Sequence, residues 1–311
     1  MKRLIYILTL ALMSSSLMTG CKKEAKLTPT AKPESIYGDP TLPQGNHPYD
    51  AAILQLFKNY RTLFLYKYQP RDLYYNVTES DQGTYDTATN TITRAGWFDV
   101  PANEQYVGMQ LDMLKEIWLN FYPDSSLRKG LPQKVYLLDS FYRAYYPYPY
   151  KGPGKPSDYI DQAPTSSGDG HFGGDFMVAT WGGARIASIT KEEKYTLKGR
   201  LNAAFLAFAL AKGVIQRSPA FLVVTDYTAL DYYNNYELGV LEWDILTPED
   251  DWTSYVQTIV SNSYDTLTAA GNILDPSVDV NGAIRKKYDI IVAYFKSTFG
   301  VDLQAIGNAG L

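Results

Sequence analysis

The stretch LNAAFLAFALAKG, residues 201–213, carries no ionisable group between Arg200 and Lys212. As a helix it is apolar on every side, so other elements must enclose it; a surface helix would keep one polar face. Thr190 and Glu193 stand at capping-box spacing and open this helix well upstream, while Gly213 supplies its stop. The chain is therefore expected to fold around a long core helix.

The elements on either side of it follow from periodicity. Asp50 is placed to cap a helix with Ile53, Leu56, Phe57 and Tyr60 at helical spacing, and the alternating LFLYKYQ at 63–69 reads as a strand. Asn103 is placed to cap a second helix, with Val107, Leu111, Leu114, Trp118 and Phe121 on one stripe. KVYLLDS at 134–140 reads as a buried strand. DFMVATW and ARIASI flank Gly182-Gly183, a pair that suits a two-residue hairpin turn because both residues tolerate positive φ. Thr247-Pro248 starts another helix, with the threonine as cap and the proline in the first turn. A last helix over roughly 282–299 places Ile284, Tyr288, Ile291 and Phe295 on one side and stops at Gly300. Strands crowd the first two thirds and helices the last, which predicts an α+β fold: a small mixed sheet with a Gly-Gly hairpin, packed on the long helix, then a helical C-terminal lobe.

The N-terminus, MKRLIYILTLALMSSSLMTGCKKE, has two positive charges, a short apolar run and Leu-Met-Thr-Gly before Cys21, the only cysteine. That pattern is expected of a bacterial lipoprotein signal over residues 1–20, leaving Cys21 as a lipidated N-terminus held at the outer membrane. Residues 21–45, rich in Lys, Pro and Thr, read as a tether, and residues 46–311 as one domain. The formal charge is −4, or −6 once Lys2 and Arg3 leave with the signal, and no nucleic-acid partner is expected.

The chemistry available is narrow. There are two histidines, His47 and His171, so a zinc site of several His ligands cannot be built, and one cysteine allows no disulfide. The SSGDGHFGGD loop around His171 lacks the carboxylate spacing of a calcium-binding hand and reads as a solvated turn. No nucleophile elbow, phosphate loop or dinucleotide fingerprint occurs. Among 33 Asp and Glu residues the sequence singles out no glycosidase-type pair of carboxylates. The one strong bias is aromatic: tyrosine alone numbers 27, with the run FYRAYYPYPYKGPGKP at 141–156. Tyr and Pro stiffening a long loop is the simpler reading. The alternative is a surface for sugars or extended peptides, where a flat ring carries a hydroxyl. Its candidate residues are Tyr145, Tyr146, Tyr148 and Tyr150, with Trp181, Tyr232 and Tyr233.

Four segments in order, FMVATWGGARIASI, the long helix, GVLEWDILTPEDDWTS and YFKSTFGVDL, make the chain resemble the zinc-binding metallopeptidase lipoproteins of bacterial outer membranes, a family of zincin type. The resemblance implies a zincin-like fold in which the long helix carries His-Glu-x-x-His and a later Glu completes the zinc site. Both histidines of such a motif stand on one helix face, and the glutamate between them takes a proton from bound water. By that resemblance the first ligand falls on Ala204, the base on Phe205, the second ligand on Phe208 and the acidic ligand on Ser254. Alanine and phenylalanine offer no lone pair, and no histidine follows His171. The expectation is an inactive relative with no catalytic residues, metal or cofactor. It would bind a peptide, a glycan or an outer-membrane protein, as an accessory subunit of a nutrient-uptake system. The competing expectation is a peptidase or glycosidase with an unrelated carboxylate site.

Overall fold

The computed structural model describes residues 41–74, 82–145, 160–161, 175–231, 233–244 and 247–310, all within one compact unit, Pro40–Leu311. Cys21 and its signal, most of the tether, Tyr146, Tyr148, Tyr150, His171 and Tyr232 lie outside the described residues.

In chain order the larger elements are α1 (Asp50–Tyr60), β1 (Leu63–Leu65), β2 (Thr84–Asp86), β3 (Thr91–Arg94), β4 (Gly96–Pro101), α2 (Val107–Ile117), α3 (Asp124–Gly130), β5 (Lys134–Tyr145), β6 (Ile160–Asp161) and β7 (Phe176–Ala179). The helical half follows: α4 (Lys191–Ala211), α5 (Pro248–Ser261), α6 (Tyr264–Thr268), α7 (Ala283–Phe299) and α8 (Leu303–Asn308). The fold is α+β, with a small mixed sheet, a long core helix and a helical C-terminal lobe, as its sequence pattern predicts.

β5 organises the sheet. Its first half pairs in parallel with β1 and β7, and its second half pairs antiparallel with β4 and β6. β2 and β3 form a separate antiparallel pair. β1 is shorter than the alternating sequence at 63–69 predicts. Beyond Leu65 the Gln44 side chain takes over the pairing: its Oε1 accepts from the Tyr66 N–H at 2.9 Å and its Nε2 donates to the Lys67 carbonyl at 2.6 Å.

The Gly182-Gly183 hairpin does not form. β7 runs parallel to β5, and Ala184–Ser188 is a 3-10 turn rather than a returning strand. The residue with positive φ is Trp181, at 72°. The glycines serve close approach instead: a Cβ on Gly182 would stand 2.5 Å from the Ala102 Cβ, and one on Gly183 would strike the Asp139 carboxylate. Two expected caps also shift. Asp50 is the first helical residue of α1, its Oδ2 accepting from the His47 N–H at 2.7 Å. Asn103 opens a turn before α2 by accepting from the Gln105 N–H, and α2 itself starts at Val107.

The signals around α4 hold. Thr190 and Glu193 form the full capping box, and Gly213 and Gly300, both with φ near +70°, end α4 and α7. Leu201, Ala204, Phe205, Leu206, Phe208 and Ala209 are buried. Ala203, Ala207 and Leu210 are half-buried, so one narrow stripe of mostly small side chains approaches the surface. Ile284, Tyr288, Ile291 and Phe295 of α7 are buried as one face.

Candidate functional site

The four positions on which the zincin resemblance places metal chemistry come from α4 and α5. Phe205, 2% exposed, meets the Tyr122 ring edge-on at 4.8 Å and the Trp118 ring at 5.5 Å. Phe208 and Ala204 are buried beside it, and the Lys212 ammonium lies 5.6 Å from the Phe208 ring centre. Ser254 is buried, and its hydroxyl donates to Glu242 Oε1 at 3.2 Å. A methyl group, two packed rings and one engaged hydroxyl do not fit zinc, which needs imidazole, thiolate or carboxylate donors in tetrahedral array. Among the described residues, no three His, Cys, Asp or Glu side chains gather as a metal site.

The candidate ligand-binding residues are spread out. Tyr145 ends β5, where its backbone pairs with Ile160. Trp181 is half-buried after β7, with the Arg185 guanidinium 4.2 Å over its ring. Arg185 also binds Asp139, through Nε to Oδ1 at 3.2 Å. Tyr233 is 88% exposed in the segment between α4 and α5. The other four candidates lie outside the described residues. His47 stacks on Tyr49 and bonds Glu104 at 2.7 Å, while Lys67 and His47 together hold the Glu104 carboxyl below its usual range.

A buried charged centre in the helical lobe is absent from the sequence reading. Lys287 of α7 and Asp251 of α5 are fully buried and form a short ion pair. The Tyr227 hydroxyl donates to the same Asp251 oxygen at 2.6 Å. Phe221, Tyr227 and Tyr255 surround the ammonium, with ring centres 4.9–5.7 Å away. Burial pushes the Asp251 carboxyl up against the pull of Lys287, and burial pushes Lys287 down. The signal was available: Lys287 sits between Ile284, Tyr288 and Ile291 on the apolar face of α7. Sealed from solvent, the pair joins α5 to α7 and reaches no substrate. Lys198 plays a similar part in α4, donating to the Gly307 and Ala309 carbonyls at 2.9 and 3.1 Å at the end of α8.

No helix among the described residues is long and apolar enough to cross a membrane. No protein-family model matches the chain, and no curated protein does. A crystal structure from Bacteroides caccae, named "putative zinc-binding metallo-peptidase", is similar to it with a TM-score of 0.42 and 13% identity, over 83% of this chain and 88% of that one. A likeness at that level bears on neither the site nor the activity.

Proposed function

We propose that this chain is an outer-membrane lipoprotein of metallopeptidase descent that binds without catalysing, an accessory subunit of a nutrient-uptake system. The observation that carries the reading is the packing of Phe205 and Phe208 into the core at the positions of the base and second ligand. Ala204 and the Glu242-bound Ser254 complete a set with no metal donor among them. The order of the four sequence segments supports the descent, and the Leu-Met-Thr-Gly-Cys21 box supports the lipid anchor. The partner is a peptide, a glycan or an outer-membrane protein, and the anchor is the lipid on Cys21.

Fractionation and activity test this together. Wild-type protein is expected in the membrane fraction, and Cys21→Ala in the soluble fraction or unprocessed. Neither is expected to cleave casein or gelatin. Soluble wild-type protein cleaved elsewhere would remove the anchor, and chelator-sensitive proteolysis would remove the non-catalytic reading.

A further inference from the structure

A cavity of about 180 Å³ opens between α3, the middle of α4 and the C-terminal end of α7. Phe205, Leu206, Ala209, Tyr122 and Phe295 form its apolar walls. Ala204 and Phe208 do not line it, so it faces a different side of α4 from the positions of the zincin ligands. An apolar cavity of about 150 Å³ takes up benzene. This one has room for a single phenyl-sized or branched aliphatic group.

Its polar lining is one-sided. Ser125, Ser126 and Lys129 of α3 and Thr298 of α7 contribute the polar groups, and no Asp or Glu lines the cavity. Ser126 donates its proton to the Phe299 carbonyl at 3.1 Å, and the Tyr122 hydroxyl donates to Asn202 Oδ1 at 2.8 Å. Lys129 is exposed and makes no hydrogen bond or ion pair among the described residues. A cationic ligand would meet no counter-charge there, whereas an anion meets an unpaired ammonium beside two hydroxyls.

We propose that this cavity binds a small hydrophobic carboxylate. The aryl or branched aliphatic group enters between Phe205, Leu206 and Phe295, and the carboxylate stays at the mouth on Lys129 with the Ser125 or Thr298 hydroxyl. A free acid and the C-terminal residue of a peptide share this chemistry. The site stands whether or not α4 descends from a zinc-binding helix.

The test is a titration of the full chain in detergent, followed by the methyl resonances of Leu206, Val214 and Ile215, all of which line the cavity. Phenylacetate should shift them and benzylamine should not. Lys129→Met, at an exposed position, should weaken phenylacetate about three- to fivefold, the range of a part-exposed ion pair. Val214→Phe, filling the cavity from a half-buried position, should abolish binding. N-acetyl-glycyl-phenylalanine binding more tightly than phenylacetate, with loss on amidation, assigns the peptide C-terminus as the source; the reverse order assigns a free acid. No shift with either acid, equal binding of benzylamine, or phenylacetate binding unchanged in Lys129→Met would overturn the proposal.

Discussion

The helical lobe has two buried centres that treat charge in opposite ways. Between Leu201 and Ala209, α4 holds no ionisable side chain, and its Phe205 ring packs against Trp118 and Tyr122. Between α5 and α7, by contrast, the protein buries an aspartate and a lysine completely and closes them with Tyr227 and two further rings. The difference separates two ways of being chemically inert. Along the first centre α4 offers no imidazole, thiolate or carboxylate to hold zinc or take a proton. The second has such groups, but each is committed to the other and sealed away, so its charge holds helices together. The uncharged interior of α4 therefore does not follow from a general avoidance of buried charge in this fold.

Breaking the charged centre should have the largest effect. Lys287→Met leaves Asp251 buried without its cation, and removing one partner of such a pair costs about 3–5 kcal/mol. Urea denaturation should show that loss, and Lys287→Met with Asp251→Leu should recover most of it. A single-variant loss below about 1 kcal/mol would mean that the pair is solvated. The apolar centre should respond slightly less. Phe205→Ala should cost about 3 kcal/mol, the low end for a buried ring because Phe205 already borders a cavity. An unchanged melting curve would mean that the ring is not part of the core.

Lys198 sharpens the comparison, because it is a buried cation facing carbonyls instead of a carboxylate. Burial pushes its ammonium down from 10.5 to about 8. Above pH 8 the folded chain has shed a proton that the unfolded chain keeps, so this group's contribution to stability rises with pH between its folded and unfolded values. Measured against Lys198→Met, wild type should gain about 1 kcal/mol from pH 7 to pH 9. A relative loss over that range would show that the carbonyls hold the charged form. Smallest of all should be Ser254→Ala, which removes one hydrogen bond to Glu242 and should cost about 0.5–1 kcal/mol by denaturation. A much larger effect would give Ser254 a role beyond that bond.

What the sequence made legible was local. The capping box of α4, the Thr247 cap whose hydroxyl accepts from the Asp250 N–H at 3.1 Å, and the glycine stops at 213 and 300 all act within one helical turn. The enclosure of Phe205 and Phe208 followed from the lack of ionisable residues between Arg200 and Lys212. Apart from the shifted caps at Asp50 and Asn103, the misreadings involve partners distant in the chain. Gly182 and Gly183 pack against Ala102 and Asp139, and Gln44 cuts β1 short from 22 residues upstream. The cavity beside α4 combines three helices, and the burial of Lys287 needs an aspartate 36 residues away. A helical stripe marks the face that is buried, but not the group that will meet a charge there.

Elemental analysis of the purified full chain, with its melting curve in the presence and absence of a chelator, tests the claim about α4 most directly. Zinc sites stabilise folded chains because binding free energy is added to folding. With Ala204, Phe205, Phe208 and Ser254 in place, zinc should be far below one per chain and the chelator should leave the melting temperature unchanged. About one zinc per chain, with a melting temperature that falls when it is removed, would contradict the reading of α4 as a helix that has lost its metal.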